Sequence, residues 1–376
     1  MLKIIGGKMR IIVNASNLRA GGSIQVTESI IFEASKFVSD SHEFHFFLSP
    51  AFMHLKNKLV NTEQCIYYWV GYPSRFSITG TCKQLDGLES IIKPDVTFSV
   101  FGPNYWKPKS KHVVGFAQGY YLYQDLPFFK SMKFTQKAKW YALSKYHRHI
   151  LKYHADKYIV ETEDVKNKFA KFLSVKSSDI SVVSNTHGDH FNDFKRTVNF
   201  EMDNCKFKLL TIAYPYPHKN LLILKAVADI CMDKGLDILF YITVSDSYYI
   251  ENFYGYESKI KNLGKVNNLD VPSLYEQCDA MILPTLVECF SASYPEAMKM
   301  RKPILTSNYS FAKSICGDAA LYFDPYSPVD IADKIIQICS SKEIMETLRL
   351  NGDKRLMSFK SSTERFSSYI EICESL

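Results

Sequence analysis

Strand-like runs alternate with helical patterns along the whole of this chain, and the alternation restarts once. In the first half, MRIIVNAS (9–16), HEFHFFLS (42–49), CIYYWVG (65–71), DVTFSVF (95–101) and HVVGFAQ (112–118) are short runs of β-branched and aromatic residues that read as strands. Gly21 and Gly22 precede a helical pattern from about Ser23 to Val38. A second helix over 138–154, the strand KYIVET (157–162), a helix from Glu163 to Leu173 and the strand ISVVSN (180–185) complete this half. After a polar stretch the pattern resumes with FKLLTIA (207–213), and a helix is predicted from Asn220 to Lys234. Strands DILFYITV, DAMILPT, PILTSN and AALYFD follow, with a short strand near Lys261, a helix from Tyr294 to Met300 and another opened by Ser327-Pro328. Alternation of this kind dictates parallel sheets covered on both faces. The expected fold is therefore α/β, with two Rossmann-like domains of parallel sheet facing a cleft. The boundaries are 1–187, a linker at 188–205 with little periodicity, and 206–359.

At 376 residues the chain is long enough for two cores. Nine cysteines are scattered without C-x-x-C or Cys/His clusters, which predicts reduced thiols in a cytosol-like compartment and neither disulfides nor structural zinc. Residues Met1 to Lys8 do not have the pattern of a signal peptide, and the longest apolar run, Leu236 to Val244, is far short of the roughly 20 residues of a membrane span. A cytoplasmic protein is expected.

Charge divides the chain. Residues 1–200 hold 27 Lys and Arg against 16 Asp and Glu, whereas 201–376 hold 19 against 23. The excess concentrates in 106–153, where lysines (Lys107, Lys109, Lys111, Lys130, Lys133, Lys137, Lys139, Lys145) alternate with Phe128, Phe129, Phe134 and Trp140. Two readings fit: a solvated face over an ordinary core, or a surface that meets anionic lipid head groups at the inner face of the cytoplasmic membrane. Nucleic acid is not expected as a partner, because no nucleic-acid motif accompanies the charge.

The segment ILPTLVECFSASYPEAMKMRKPIL (282–305) runs from an apolar strand through a loop to a helix start and carries Glu288 and Glu296 with seven residues between them. Open α/β sheets bind ligands at the carboxyl ends of their strands, where helix N-termini offer unpaired amides. Two carboxylates flanking such a start suit a polyhydroxyl ligand that also bears phosphate, with the amides of Phe290, Ser291 and Ala292 lying between them. Glu296 has a second reading, as the Glu of a capping box opened by Ser293. Lys219, in YPYPHKN after a strand, is placed to meet a diphosphate. The Gly21–Gly22 turn lets a ligand approach backbone. No G-x-G-x-x-G follows a strand, which disfavours a nicotinamide or flavin enzyme. His154, His187 and His190 lack metal-ligand spacing, and no metal or other cofactor is expected.

Glu288 and Glu296, followed by Ala297, Met298 and Pro303, resemble the E-x7-E signature of family-four retaining glycosyltransferases with the GT-B fold, of the kind acting in bacterial O-antigen and capsule assembly. Leu263 to Thr285, Tyr214 to Ile230 and Val13 to Val26 are similar to the family's polar spacer and strand, phosphate loop and glycine turn, in the family's order. The chain departs from the pattern at Cys289 and Ser291, where Gly is usual, and in carrying no Arg near Tyr214.

The resemblance implies a metal-independent transfer of a sugar from a nucleotide-diphospho-sugar to a saccharide acceptor carried on a lipid, with retention of configuration. It matches Glu288 to the carboxylate on the transferred sugar, Glu296 to that on the ribose, Lys219 to the diphosphate contact, and Gln118 to a position facing sugar. His218 and Tyr216 are candidates to substitute for the missing Arg. It also implies that Asn185 positions the linker and that a last helix, about 360–376, returns to the first domain. Two readings of other classes stand beside it: a sugar-nucleotide-binding protein without activity and a sugar-nucleotide epimerase.

Overall fold

The computed structural model describes residues 8–37, 42–74, 80–192, 194–196, 198–204 and 207–376. It divides into two compact units: Met1–Leu122 with Met132–Asn185 and Lys360–Leu376, and Tyr123–Ser131 with Thr186–Phe359.

The first unit is built on seven parallel strands: β1 (Met9–Ala15), β2 (His42–Leu48), β3 (Cys65–Trp69), β4 (Val96–Gly102), β5 (Lys111–Phe116), β6 (Lys157–Val160) and β7 (Ile180–Val182), in the order β3-β2-β1-β4-β5-β6-β7. The chain steps outward from β1 to β3, then crosses to β4 and steps the other way. Its switch point therefore lies between β1 and β4. Helices on the faces leave β1 buried from Ile11 to Ala15, as expected where a parallel sheet is covered twice. The helix Ser362–Glu374 supplies Phe366, Tyr369, Ile370 and Cys373 to this unit's core, with the Tyr369 ring 5.0 Å from that of Phe98. Arg365 fixes it by donating to Asn185 Oδ1 and, at 2.8 Å, to Ser29 Oγ.

Six parallel strands form the second unit: β8 (Phe207–Thr211), β9 (Ile238–Ile242), β10 (Ile260–Asn262), β11 (Ala280–Leu283), β12 (Ile304–Ser307) and β13 (Ala320–Phe323), in the order β10-β9-β8-β11-β12-β13. Here the switch point falls between β8 and β11, which pair at Ala280 with Leu209 and Met281 with Leu210. The Thr211 hydroxyl ties the two strands by donating to Ile282 O at 2.7 Å.

Three local expectations are corrected. The helix expected from Asn220 is Ile223–Asp233, because Asn220 takes a left-handed conformation (φ 54°) and its side chain donates to Pro325 O at 2.8 Å. The segment Tyr123–Ser131, expected within the first domain, belongs to the second unit, where Tyr123 packs edge-on against Phe311 at 5.6 Å. The helix expected to reach Val38 is Gly22–Lys36, and Val38 itself lies outside the described residues.

Candidate functional site

The loops leaving β8 and β11 rise side by side at the switch point of the second sheet, which is where open α/β sheets gather ligand-binding groups. The backbone stitches them together. Leu286 N–H donates to His218 O at 2.7 Å, and the Thr285 hydroxyl lies 3.2 Å from the same carbonyl and 3.2 Å from Glu288 Oε1. On that frame Lys219 Nζ donates to Glu288 Oε1, and both side chains are largely buried. Lys219 closes a short 3-10 turn, Pro217–Lys219, rather than opening a helix. Beside the pair, burial holds the His218 imidazole down to about 4, with the Lys219 cation adding to that effect and Glu288 opposing it. The ring is neutral at pH 7 and can donate or accept a hydrogen bond without carrying charge.

Glu296 lies in the first turn of the helix Ser293–Lys299. The capping-box reading is overturned: the N-cap is Ala292 and no side chain caps this helix. Ser293 falls inside the helix and Glu296 turns inward, so neither is placed to cap. Glu296 faces the buried Tyr275 hydroxyl, whose oxygen lies 3.2 Å from Ser293 O and 3.5 Å from Glu296 Oε2. Burial pushes the Glu296 carboxyl up to about 7, partly offset by Tyr275. Desolvation also drives the Tyr275 phenol well above its ordinary value, so it stays a hydrogen-bond donor. Between the carboxylates, Ser291 is buried while Phe290 and Ala292 are partly exposed, and the Phe290 ring meets Phe359 edge-on.

Other candidates stand in the first unit. Gly21 is the N-cap of the helix Gly22–Lys36, after β1 at the first sheet's switch point. Its φ of 76° favours glycine, while a Cβ at either Gly21 or Gly22 would meet open space. Gln118 follows β5, half-buried, and its carbonyl accepts from Tyr121 N–H.

The basic stretch is less aromatic at the surface than its composition indicates. Trp106 is buried and donates its indole N–H to Asp86, and Phe128 and Phe129 are core residues. Trp140 packs against Tyr120 at 4.7 Å. The exposed aromatics are Phe134, Tyr141, Tyr146 and Tyr153 on the helix Phe134–His154, interspersed with exposed Lys133, Lys137, Lys139, Lys145 and Lys152. Among the described residues no helix is long and apolar enough to cross a membrane, and no group of three His, Cys, Asp or Glu side chains is arranged to hold a metal ion.

Sequence reasoning missed Thr285, which braces Glu288, and Tyr275, which faces Glu296 from 21 positions away. A Thr after a strand's Pro was a weak available sign of the first. Nothing local marks the second.

Residues 201–355 match the family model described as "Glycosyl transferases group 1". The chain is 24% identical over 225 residues to an uncharacterized glycosyltransferase of Methanocaldococcus jannaschii, covering 54% of this chain and 62% of that protein. It is 29% identical over 116 residues to the O-antigen chain mannosyltransferase B of Escherichia coli, covering 30% of each. The chain thus spans less than two thirds of the length of either relative. Sucrose-phosphate synthase of Thermosynechococcus elongatus is similar in structure at a TM-score of 0.72 and 12% identity, over 98% of this chain and 99% of that one. The fold is GT-B.

Proposed function

We propose that the protein, whose residues 201–355 match the model of the group 1 glycosyl transferases, moves a hexosyl group from a nucleotide-diphospho-sugar to a saccharide acceptor with retention of configuration. The observation that carries the reading is the Lys219–Glu288 pair at the β8/β11 switch point, with Glu296 buried eight residues further on. On this reading Lys219 holds the diphosphate and stabilises the negative charge that develops as it leaves. Amides of Phe290, Ser291 and Ala292 add donors near the start of the helix. Glu288 accepts from a hydroxyl of the transferred sugar and answers the positive charge that grows on its ring, as carboxylates do in glycoside hydrolysis. Glu296 accepts from the nucleotide ribose, and neutral His218 supplies a hydrogen bond where the family has Arg. Gly21, Gly22 and Gln118 are assigned to phosphate or sugar contacts on the first unit. No metal is assigned a role.

Similarity to the O-antigen chain mannosyltransferase B of Escherichia coli supports a surface-polysaccharide acceptor, and we take that acceptor to be lipid-linked. The lysine- and aromatic-bearing surface of the helix Phe134–His154 would then hold the enzyme at an anionic membrane face.

A panel of nucleotide sugars, followed for nucleotide release with and without saccharide acceptors, tests the proposal. Acceptor-dependent release is expected. Binding without release would identify a non-catalytic sugar-nucleotide binder instead, and inversion of the sugar without release an epimerase.

A further inference from the structure

The loop between β8 and the Pro217–Lys219 turn reads Tyr214-Pro-Tyr-Pro-His218, and its aromatic rings form an open ladder. Tyr214 and Tyr216 stack with centroids 5.8 Å apart and planes 22° apart; Tyr216 and His218 stack at 5.6 Å and 11°. The backbone explains the alignment. Tyr216 N–H donates to Tyr214 O at 2.7 Å, a tight turn about Pro215, and Tyr216 itself is extended (φ −72°, ψ 146°), so alternate side chains share one side. Two prolines hold that conformation with little residual freedom.

The inner rung borders the ion pair and the outer rungs face solvent. His218 is flanked by Lys219 and Glu288, while Tyr216 and Tyr214 are 50% and 57% exposed. Among the described residues neither tyrosine hydroxyl is hydrogen-bonded. Core packing does not account for two stacked tyrosines half-exposed on a proline-stiffened loop, and beside a largely buried ion pair they offer a ligand a preformed aromatic surface. Offset stacking leaves part of each ring face uncovered, and each phenol offers a donor and an acceptor at its edge. A pyranose ring has the matching chemistry, a C–H face bordered by hydroxyls. The ladder adjoins Lys219 and Glu288, the residues assigned above to the diphosphate and the transferred sugar.

We propose that Tyr214, Tyr216 and His218 form a stacking platform for a pyranose ring, the saccharide-binding wall of the Lys219–Glu288 site. This rests on the glycosyl-transfer reading of that pair. The ring can belong to the donor's sugar or to the acceptor.

Saturation-transfer NMR on the full chain tests it, with the methyl glycosides of mannose, glucose, galactose and N-acetylglucosamine as probes. Calorimetry with UDP, GDP and their hexose conjugates runs in parallel. The wild type is expected to bind at least one glycoside. Tyr216→Ala, and more so with Tyr214→Ala, weakens that binding about fivefold to tenfold, the size of one lost aromatic contact. Tyr216→Phe retains most of it. Thermal stability should be unchanged in all three variants, and bare nucleoside-diphosphate affinity should fall less than glycoside binding does. If the platform takes the donor sugar, the variants lose the extra affinity of a nucleotide-hexose over its bare nucleotide. If it takes the acceptor, glycoside binding in the presence of the conjugate is lost instead. A wild type that binds no glycoside, glycoside binding that survives the double substitution, or a loss confined to bare nucleotide affinity would each overturn the proposal. Failure of the underlying reading is separately visible as a wild type that binds no nucleoside diphosphate or conjugate.

Discussion

Lys219 and Glu288, 69 positions apart in sequence, form an ion pair because β8 and β11 are neighbours at the point where the second sheet reverses its strand order. Each side chain is held by its own loop, and the loops are stitched through His218 O to Leu286 N–H and the Thr285 hydroxyl. The pair is therefore fixed by backbone and does not depend on two long side chains finding one another. That distinguishes it from the surface ion pairs whose net contribution is close to zero.

Removing one partner leaves the other charge largely buried. Lys219→Met should destabilise the protein by about 2 kcal/mol, between the values for exposed and fully buried pairs. Lys219→Met combined with Glu288→Gln should recover most of that loss, since no uncompensated charge remains. Thermal melts of the two single variants and the double variant read the coupling directly. Additive losses would mean that the two side chains do not interact in solution.

The two glutamates should separate kinetically. Glu296→Gln is expected to weaken binding of a bare nucleoside diphosphate, whereas Glu288→Gln spares it and lowers the rate of transfer, because its contact strengthens as the glycosidic bond opens. For Glu288 the loss of a charge-assisted hydrogen bond corresponds to roughly 1.5–3 kcal/mol, or about tenfold to a hundredfold; for Glu296, whose carboxyl holds its proton up to about 7, the loss should be smaller and should grow above that pH. Full transfer activity in Glu288→Gln would remove it from the site.

Lys219 and Glu288 were legible in the sequence because each follows an apolar strand, and strand ends in a parallel sheet are where such groups converge. The alternation of strands and helices likewise carried the two parallel sheets. The environment of Glu296 was not legible. Ser293 and Glu296 satisfy the capping-box spacing, but spacing does not say which way a side chain turns, and burial against Tyr275 decides it. The helix after Lys219 begins late for a similar reason: Asn220 reaches Pro325, 105 positions away, and the left-handed turn follows from that contact. Phe128 and Phe129 look like surface aromatics among lysines, yet both are buried, as is Trp106, which meets Asp86 and Phe47 from other segments.

Gly21 and Gly22 make a matched pair of controls. Gly21→Ala should cost about 1–3 kcal/mol from its backbone conformation alone (φ 76°, ψ −156°), since the added methyl meets nothing. Gly22→Ala, at the first position of the helix with open space around it, should leave stability unchanged or slightly raised. A fall in turnover for Gly22→Ala at unaltered melting temperature would assign the turn to close approach of a ligand to backbone. Unaltered turnover would assign it to chain geometry only.

The helix Phe134–His154 should bind vesicles that contain anionic lipid and release them in salt, because the attraction decays over a Debye length of about 8 Å at physiological ionic strength. Lys133→Glu, Lys137→Glu and Lys139→Glu together should abolish co-sedimentation, and Phe134→Ser should weaken it while preserving the salt dependence. Equal recovery with neutral and anionic vesicles would leave the helix as a solvated face.

Glu296 and His218 should pull the pH dependence of stability in opposite directions. Folded Glu296 keeps its proton up to about 7, whereas the free carboxyl releases it near 4.5. Between those values the folded protein binds more protons than the unfolded chain, so this contribution is full below pH 4.5 and is lost as pH rises towards 7. His218 is held down to about 4 against an ordinary 6.5, so the unfolded chain binds more protons in that window. Its contribution is present above 6.5 and is lost as pH falls towards 4. Each shift corresponds to about 3 kcal/mol, and the two nearly cancel between pH 4.5 and 6.5 in the wild type. Subtracting variant from wild type separates them. Against Glu296→Gln, the wild-type advantage in unfolding free energy should shrink steadily from pH 4.5 to 7; against His218→Asn, it should grow from pH 4 to 6.5. Denaturant titrations at half-unit pH steps measure both differences, and a flat difference for Glu296→Gln would show that its carboxyl is solvated and ionised rather than held beside Tyr275.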